Sequence, residues 1–232
     1  MSIFITIFVS AFLGFLNQSL VAQEEVPLGE LKTIEVPKQK SFIDKREMLI
    51  ENYLNGLNSL KAKFVQRGPT GDISKGVFSL EKPGKARFEY DGDQSFLIVS
   101  DGETLNLIDY EVGQVTKWPV NDTPLALLLG ENIIFGKNLV LQSVGAGNLA
   151  NIIEVRAHDP KKPEQGTLTL YFSLDDNGDE ANLTLRAWQI IDAKGELTYV
   201  TLTQVQENLS LAAGLWEFED PRANKLKRRS RR

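Results

Sequence analysis

Between Lys82 and Leu105 the chain reads as strand, turn, strand, turn, strand, and no other feature limits its fold as tightly. Ala86, Phe88 and Tyr90 recur at every second position, with Lys85, Arg87 and Glu89 between them. A period of two puts the first set on one face of a strand and the second set on the other. Pro83-Gly84 and Asp101-Gly102 have the composition of tight turns. They bracket a second apolar run, Leu97-Ile98-Val99-Ser100. The face that results is broad, aromatic and without reactive groups, as suits a protein that holds something apolar.

The same grammar extends along the chain. The expected strands are Ala62–Arg67, Gly76–Glu81, Ala86–Tyr90, Phe96–Ser100, Thr104–Asp109, Gln114–Pro119, Leu139–Ser143, Asn151–Ala157, Thr167–Ser173, Asn182–Ile191 and Leu197–Glu207. Short strands at regular spacing, separated by turns, predict an antiparallel meander. Two segments break the pattern. A helix is expected near Phe42–Ser59, where the apolar residues Phe42, Met48, Leu49, Tyr53, Leu54, Leu57 and Leu60 recur at helical spacing, with Ser41 or Asp44 as the cap. Thr123-Pro124-Leu125-Ala126-Leu127-Leu128-Leu129 predicts a helical insertion, with Thr123 as N-cap, Pro124 at the first helical position and Gly130 as the stop.

The two ends differ from the middle. Ile3 to Leu16 is almost continuously apolar. That is shorter than the roughly 20 residues needed to cross a bilayer core and matches the apolar region of a signal peptide. The expected organisation is therefore a signal peptide over 1–22, a flexible linker over 23–41, one domain over 42–221 and a basic disordered tail over 222–232. The lack of Lys or Arg ahead of the apolar run leaves an uncleaved anchor as the alternative. The tail carries Lys225, Lys227, Arg228, Arg229, Arg231 and Arg232. Its alternatives are a solvated end, contact with anionic lipid head groups, or docking to an acidic partner.

Composition narrows the chemistry. A net charge of −5 does not describe a nucleic-acid binder. The chain has no Cys and one His, His158, so thiolate sites are excluded and little remains for a metal site or a triad. His158-Asp159-Pro160 reads as an exposed loop, and no Gly-x-Ser-x-Gly elbow is present. Asp175-Asp176-Asn177-Gly178-Asp179 resembles the start of a calcium loop, but Gly178 falls one place early, and an Asn-Gly hairpin turn fits better. No catalytic residue, metal or cofactor is expected.

The order of these motifs resembles that of the LolA family of periplasmic lipoprotein carriers. The likeness runs from about Phe42 to Pro221. It includes Lys82-Pro83-Gly84-Lys85-Ala86-Arg87-Phe88-Glu89-Tyr90, Ile98-Val99-Ser100-Asp101-Gly102, Thr123-Pro124-Leu125, Trp188 to Gly195, and Phe218-Glu219-Asp220-Pro221. The resemblance implies a mainly β (α+β) fold: an open, curved antiparallel sheet, or half-barrel, with helices over its concave face. It implies a non-enzymatic carrier that moves acylated lipoproteins from an inner-membrane release complex to an outer-membrane receptor. A lipid-binding sensor or interaction protein on the same half-barrel is the second expectation, and a secreted lipid hydrolase the third. The carrier is expected to be a periplasmic monomer.

The resemblance also assigns residues. Ala86, Phe88, Tyr90, Leu125, Leu128 and Leu129 become expected walls of an acyl cavity, although their periodicity alone describes ordinary core. Lys82 stands where better-known members have an Arg that bonds the lid helix. Its ammonium lacks the planar fork of a guanidinium, so it is either a weaker clasp or a solvated turn residue.

Overall fold

A computed structural model describes residues 37–92, 95–134, 140–146, 152–158, 166–174 and 183–222. All eleven expected strands are present, in one sheet. They are β1 (Ser59–Arg67), β2 (Ile73–Glu81), β3 (Lys85–Tyr90), β4 (Phe96–Asp101), β5 (Thr104–Asp109), β6 (Gln114–Pro119), β7 (Val140–Ala146), β8 (Ile152–His158), β9 (Thr167–Ser173), β10 (Thr184–Ile191) and β11 (Leu197–Glu207). The order across the sheet is β6-β5-β4-β3-β2-β1-β11-β10-β9-β8-β7, with antiparallel pairing throughout. Two meanders thus meet at the β1–β11 seam, and β6 and β7 form the edges of an open half-barrel.

Along β1, buried Leu60, Ala62, Phe64 and Gln66 alternate with exposed Lys61, Lys63, Val65 and Arg67. β3 repeats this with buried Ala86, Phe88 and Tyr90. These inward residues join one core with Ile50, Leu54 and Leu57 from the helical side and with Leu125, Leu128 and Leu129. The opposite face carries a smaller cluster of Leu97, Val99 and Ile108, packed by Val115 and Phe218.

Helix α1 spans Pro37–Gly56. It starts five residues before the expected Phe42, inside the segment expected to be linker, so Ser41 and Asp44 lie within the helix and do not cap it. It also stops earlier than Ser59, which already belongs to β1. The expected insertion is smaller than its sequence implies. A 3-10 turn, Val120–Asp122, precedes a single helical turn, α2 (Ala126–Leu129). Thr123 does not cap α2: its hydroxyl donates to the Val120 carbonyl, and Leu125 occupies the cap position. Gly130 does end the turn, its N–H donating to the Ala126 carbonyl at 2.9 Å.

After β11 the chain crosses the convex face as a strap that includes the 3-10 turn Ala213–Trp216. The Arg87 guanidinium donates to the carbonyls of Leu215 at 3.0 Å and Glu217 at 3.1 Å. Trp216 donates its indole N–H to Glu81 at 3.2 Å, and the Lys85 ammonium lies 5.8 Å from the Trp216 ring centre. Arg222, assigned to the tail by its sequence, is bonded to Asp220. The expected signal peptide, the basic residues from Lys225 onward, Asp159-Pro160 and the turn expected at Asp175–Asp179 lie outside the described residues. Among the described residues no helix is long and apolar enough to cross a membrane.

Candidate functional site

The concave face is built around an aromatic row. Phe88 lies 4.6 Å from Phe78, 5.5 Å from Phe64 and 6.2 Å from Trp188, measured between ring centres. Tyr90 stands edge-on to Phe64 at 5.3 Å. Such tilted and edge-to-face pairs stabilise a packed interior beyond the area they bury. Phe64 fits because β2 has Gly76 beneath it: a Cβ there would lie 2.9 Å from the Phe64 ring and 1.9 Å from the Glu89 carbonyl oxygen.

The expected cavity residues are all in this interior. Ala86, Phe88, Tyr90, Leu125, Leu128 and Leu129 are each buried. Only Phe88 and Leu125 line a remaining void, of about 20 Å³, beside Gln66, Trp188 and Thr198. That is room for about one water. Ala86, Tyr90, Leu128 and Leu129 do not line this void and belong to the surrounding core.

What fastens the cover is specific. The Lys82 Nζ donates to the carbonyl of Leu54, in the last turn of α1, at 2.6 Å. A helix C-terminus leaves its last carbonyls without partners inside the helix and favours a cation there. Burial pulls the Lys82 ammonium down from its ordinary value to about 8. Two residues on, the Gly84 N–H donates to the carbonyl of Leu129, in α2, at 3.0 Å. The β2–β3 turn thus holds both covering helices. Ser100 steadies the turn by donating its hydroxyl to the Gly84 carbonyl at 2.7 Å.

Two further attachments were not anticipated from sequence. The Tyr53 hydroxyl donates to Glu207 at 2.5 Å and accepts the Leu185 N–H at 3.0 Å, joining α1 to β11 and β10. Burial, reinforced by the Glu207 carboxylate, pushes the Tyr53 hydroxyl well above its ordinary value, so it keeps its proton. Asn55 pairs with Ile133 in both directions: its amide donates to the Ile133 carbonyl and accepts the Ile133 N–H, each at 2.8 Å. That pair ties α1 to the segment after α2. Tyr53 and Asn55 sit within the helical period, but nothing in a single sequence names partners 78 to 154 residues away.

Comparison with known proteins agrees with this architecture. Residues 55–219 match the family described as outer membrane lipoprotein carrier protein LolA. The chain belongs to that family. The outer-membrane lipoprotein carrier protein of Cupriavidus necator is 29% identical over 185 residues, covering 75% of this chain and 83% of that one. Its counterpart in Nitrosospira multiformis is 31% identical over 183 residues, covering 74% and 83%. Among solved structures, a LolA superfamily protein from Nitrosomonas europaea aligns with a TM-score of 0.42 and 8% identity, over 76% of this chain and 97% of that one.

Proposed function

We propose that this lipoprotein-carrier family member is a periplasmic, non-enzymatic carrier of acylated lipoproteins. It takes acyl chains between the concave face and the covering helices, accepting cargo from an inner-membrane release complex and yielding it to an outer-membrane receptor. Each CH₂ left in water costs roughly 0.8 kcal/mol, so acyl chains need cover in an aqueous compartment. The observation that carries this reading is the β2–β3 turn, which fastens both helices over an apolar interior through Lys82 and Gly84. A cover held at a few polar points can lift as a unit, and lifting it exposes the aromatic row. In this reading Ala86, Phe88, Tyr90, Leu125, Leu128 and Leu129 become walls of the open acyl site, and Lys82 is the restraint on the cover.

Purification from the native compartment, followed by mass spectrometry of co-purifying molecules, tests the cargo. Acylated lipoproteins are the expected species. Recovery of a non-acylated regulatory protein in their place would move the assignment to a sensor on the same fold. Lys82→Arg is expected to tighten the closed form and slow exchange of a fluorescent fatty-acid probe, since a guanidinium can make a multi-point contact. Equal exchange rates would remove Lys82 from the gating step.

A further inference from the structure

The inward row of β1 runs Leu60, Ala62, Phe64 and then Gln66. Gln66 is only 8% exposed. A buried amide on an apolar face is unfavourable unless its donors and acceptors are met. The Tyr90 hydroxyl donates to the Gln66 Oε1 at 3.3 Å. Burial pushes the Tyr90 hydroxyl up from its ordinary value, so it stays protonated and keeps donating. That bond takes the carbonyl end of the amide. The NH₂ end has no acceptor among the described residues and is left open to solvent at the void.

Gln66 also lines the water-sized void, among walls that include Phe88, Leu125, Trp188 and Thr198. Few polar groups in an otherwise apolar pocket usually fix the orientation of what binds there. β1 begins at Ser59, paired with Glu81 beside the Lys82 turn, and ends at Arg67, paired with Ile73. Gln66 is therefore at the far end of the apolar row from the turn that fastens the cover. The row from Gln66 back to Leu60 is about 20 Å long, at roughly 3.3 Å per residue.

We propose that Gln66 is a head-group anchor, its side-chain N–H donating to the ester or amide carbonyl at the head of a bound acyl chain while Tyr90 fixes the amide. The hydrocarbon then runs along the aromatic row toward the covering helices. This rests on the acyl-binding reading above and adds a selectivity to it. The site is built for an acyl ester or amide and disfavours a bare hydrocarbon, which would displace solvent from this donor and leave it unmet.

Displacement of a fluorescent apolar probe, N-phenyl-1-naphthylamine, by methyl laurate and by tridecane tests the idea in the full chain. The parent is expected to bind the ester about tenfold more tightly than the alkane, the scale of one hydrogen bond to an otherwise unmet donor. Gln66→Leu should abolish that preference while tridecane binds at least as well as before. Gln66→Met, closer in shape, repeats the test should Leu distort β1. An ester preference that persists in the folded variants, or none in the parent, overturns the anchor and leaves the acyl site standing. Failure of both ligands to displace the probe from the parent overturns the acyl site and the anchor together.

Discussion

Lys82 sets two effects of similar size against each other. A hydrogen bond from a charged donor contributes roughly 1.5–3 kcal/mol. Lowering the ammonium from 10.5 to about 8 by burial costs a comparable few kcal/mol at neutral pH. The contact therefore places α1 more than it stabilises the fold. Below pH of about 8 the amine is protonated in the folded and unfolded chain alike. Between about 8 and 10.5 the unfolded chain binds the proton and the folded chain does not, so this group makes stability rise with pH across that window. Thermal melts of the parent and Lys82→Met from pH 7.5 to 10 should show the parent gaining on the variant, and parallel profiles would refute the shift. Gly84 is held harder. Its φ is +74°, and a Cβ there would lie 2.2 Å from the Gly102 carbonyl oxygen. Gly84→Ala should cost roughly 2 kcal/mol or more in denaturant melts. A Pro-Gly turn is legible at this site from composition alone. The acceptor for Lys82 is not, because the Leu54 carbonyl belongs to another element and a backbone atom has no signature in sequence.

At the scale of elements, α1 is fixed less by its own pattern than by where its polar residues land. Tyr53→Phe would leave the Leu185 N–H and Glu207 without their partner, at a cost of roughly 1–3 kcal/mol. Hydrogen exchange should then show α1 amides opening faster while those of β2 and β3 keep their protection. Uniform loss of protection would mean that α1 is part of the global folding unit and not a separable cover. The limits of α1, Pro37–Gly56, differ from the expected Phe42–Ser59 at both ends. Its apolar period runs on into Leu57 and Leu60, past the Asn55-Gly56 pair and Asn58 that mark the change to strand at Ser59. β10 shows the converse. Strict alternation would put Leu185 and Trp188 on opposite faces, but the register shifts between Leu185 and Ala187 and turns both into the core. Trp188, the partner of Phe78 and Phe88, is not among the expected cavity residues.

Across the whole molecule, the strap on the convex face and the cover on the concave face share one hairpin. Glu81, Lys85 and Arg87 hold the strap from the same strands whose turn holds the helices. Arg87→Ala should free the Leu215 and Glu217 carbonyls and loosen Phe218 over Leu97, Val99 and Ile108, lowering the melting temperature by several degrees. An unchanged melting temperature would show that the strap adds nothing to the fold. Removal of residues 225–232 should behave differently, lowering association with anionic vesicles at low salt and leaving the melting temperature alone. Local pattern was enough to determine the strands, their order along the chain and the inward set on β3, because a period of two and turn residues are properties of neighbours. The same holds for the family, whose motifs are short and stand in order. Only the tertiary structure decided that β1 pairs with β11, that one turn fastens both helices, and that the Gln66 NH₂ end meets no acceptor among the described residues. Those are matters of which distant groups meet, and contact between distant groups is set by the closed packing of the whole chain.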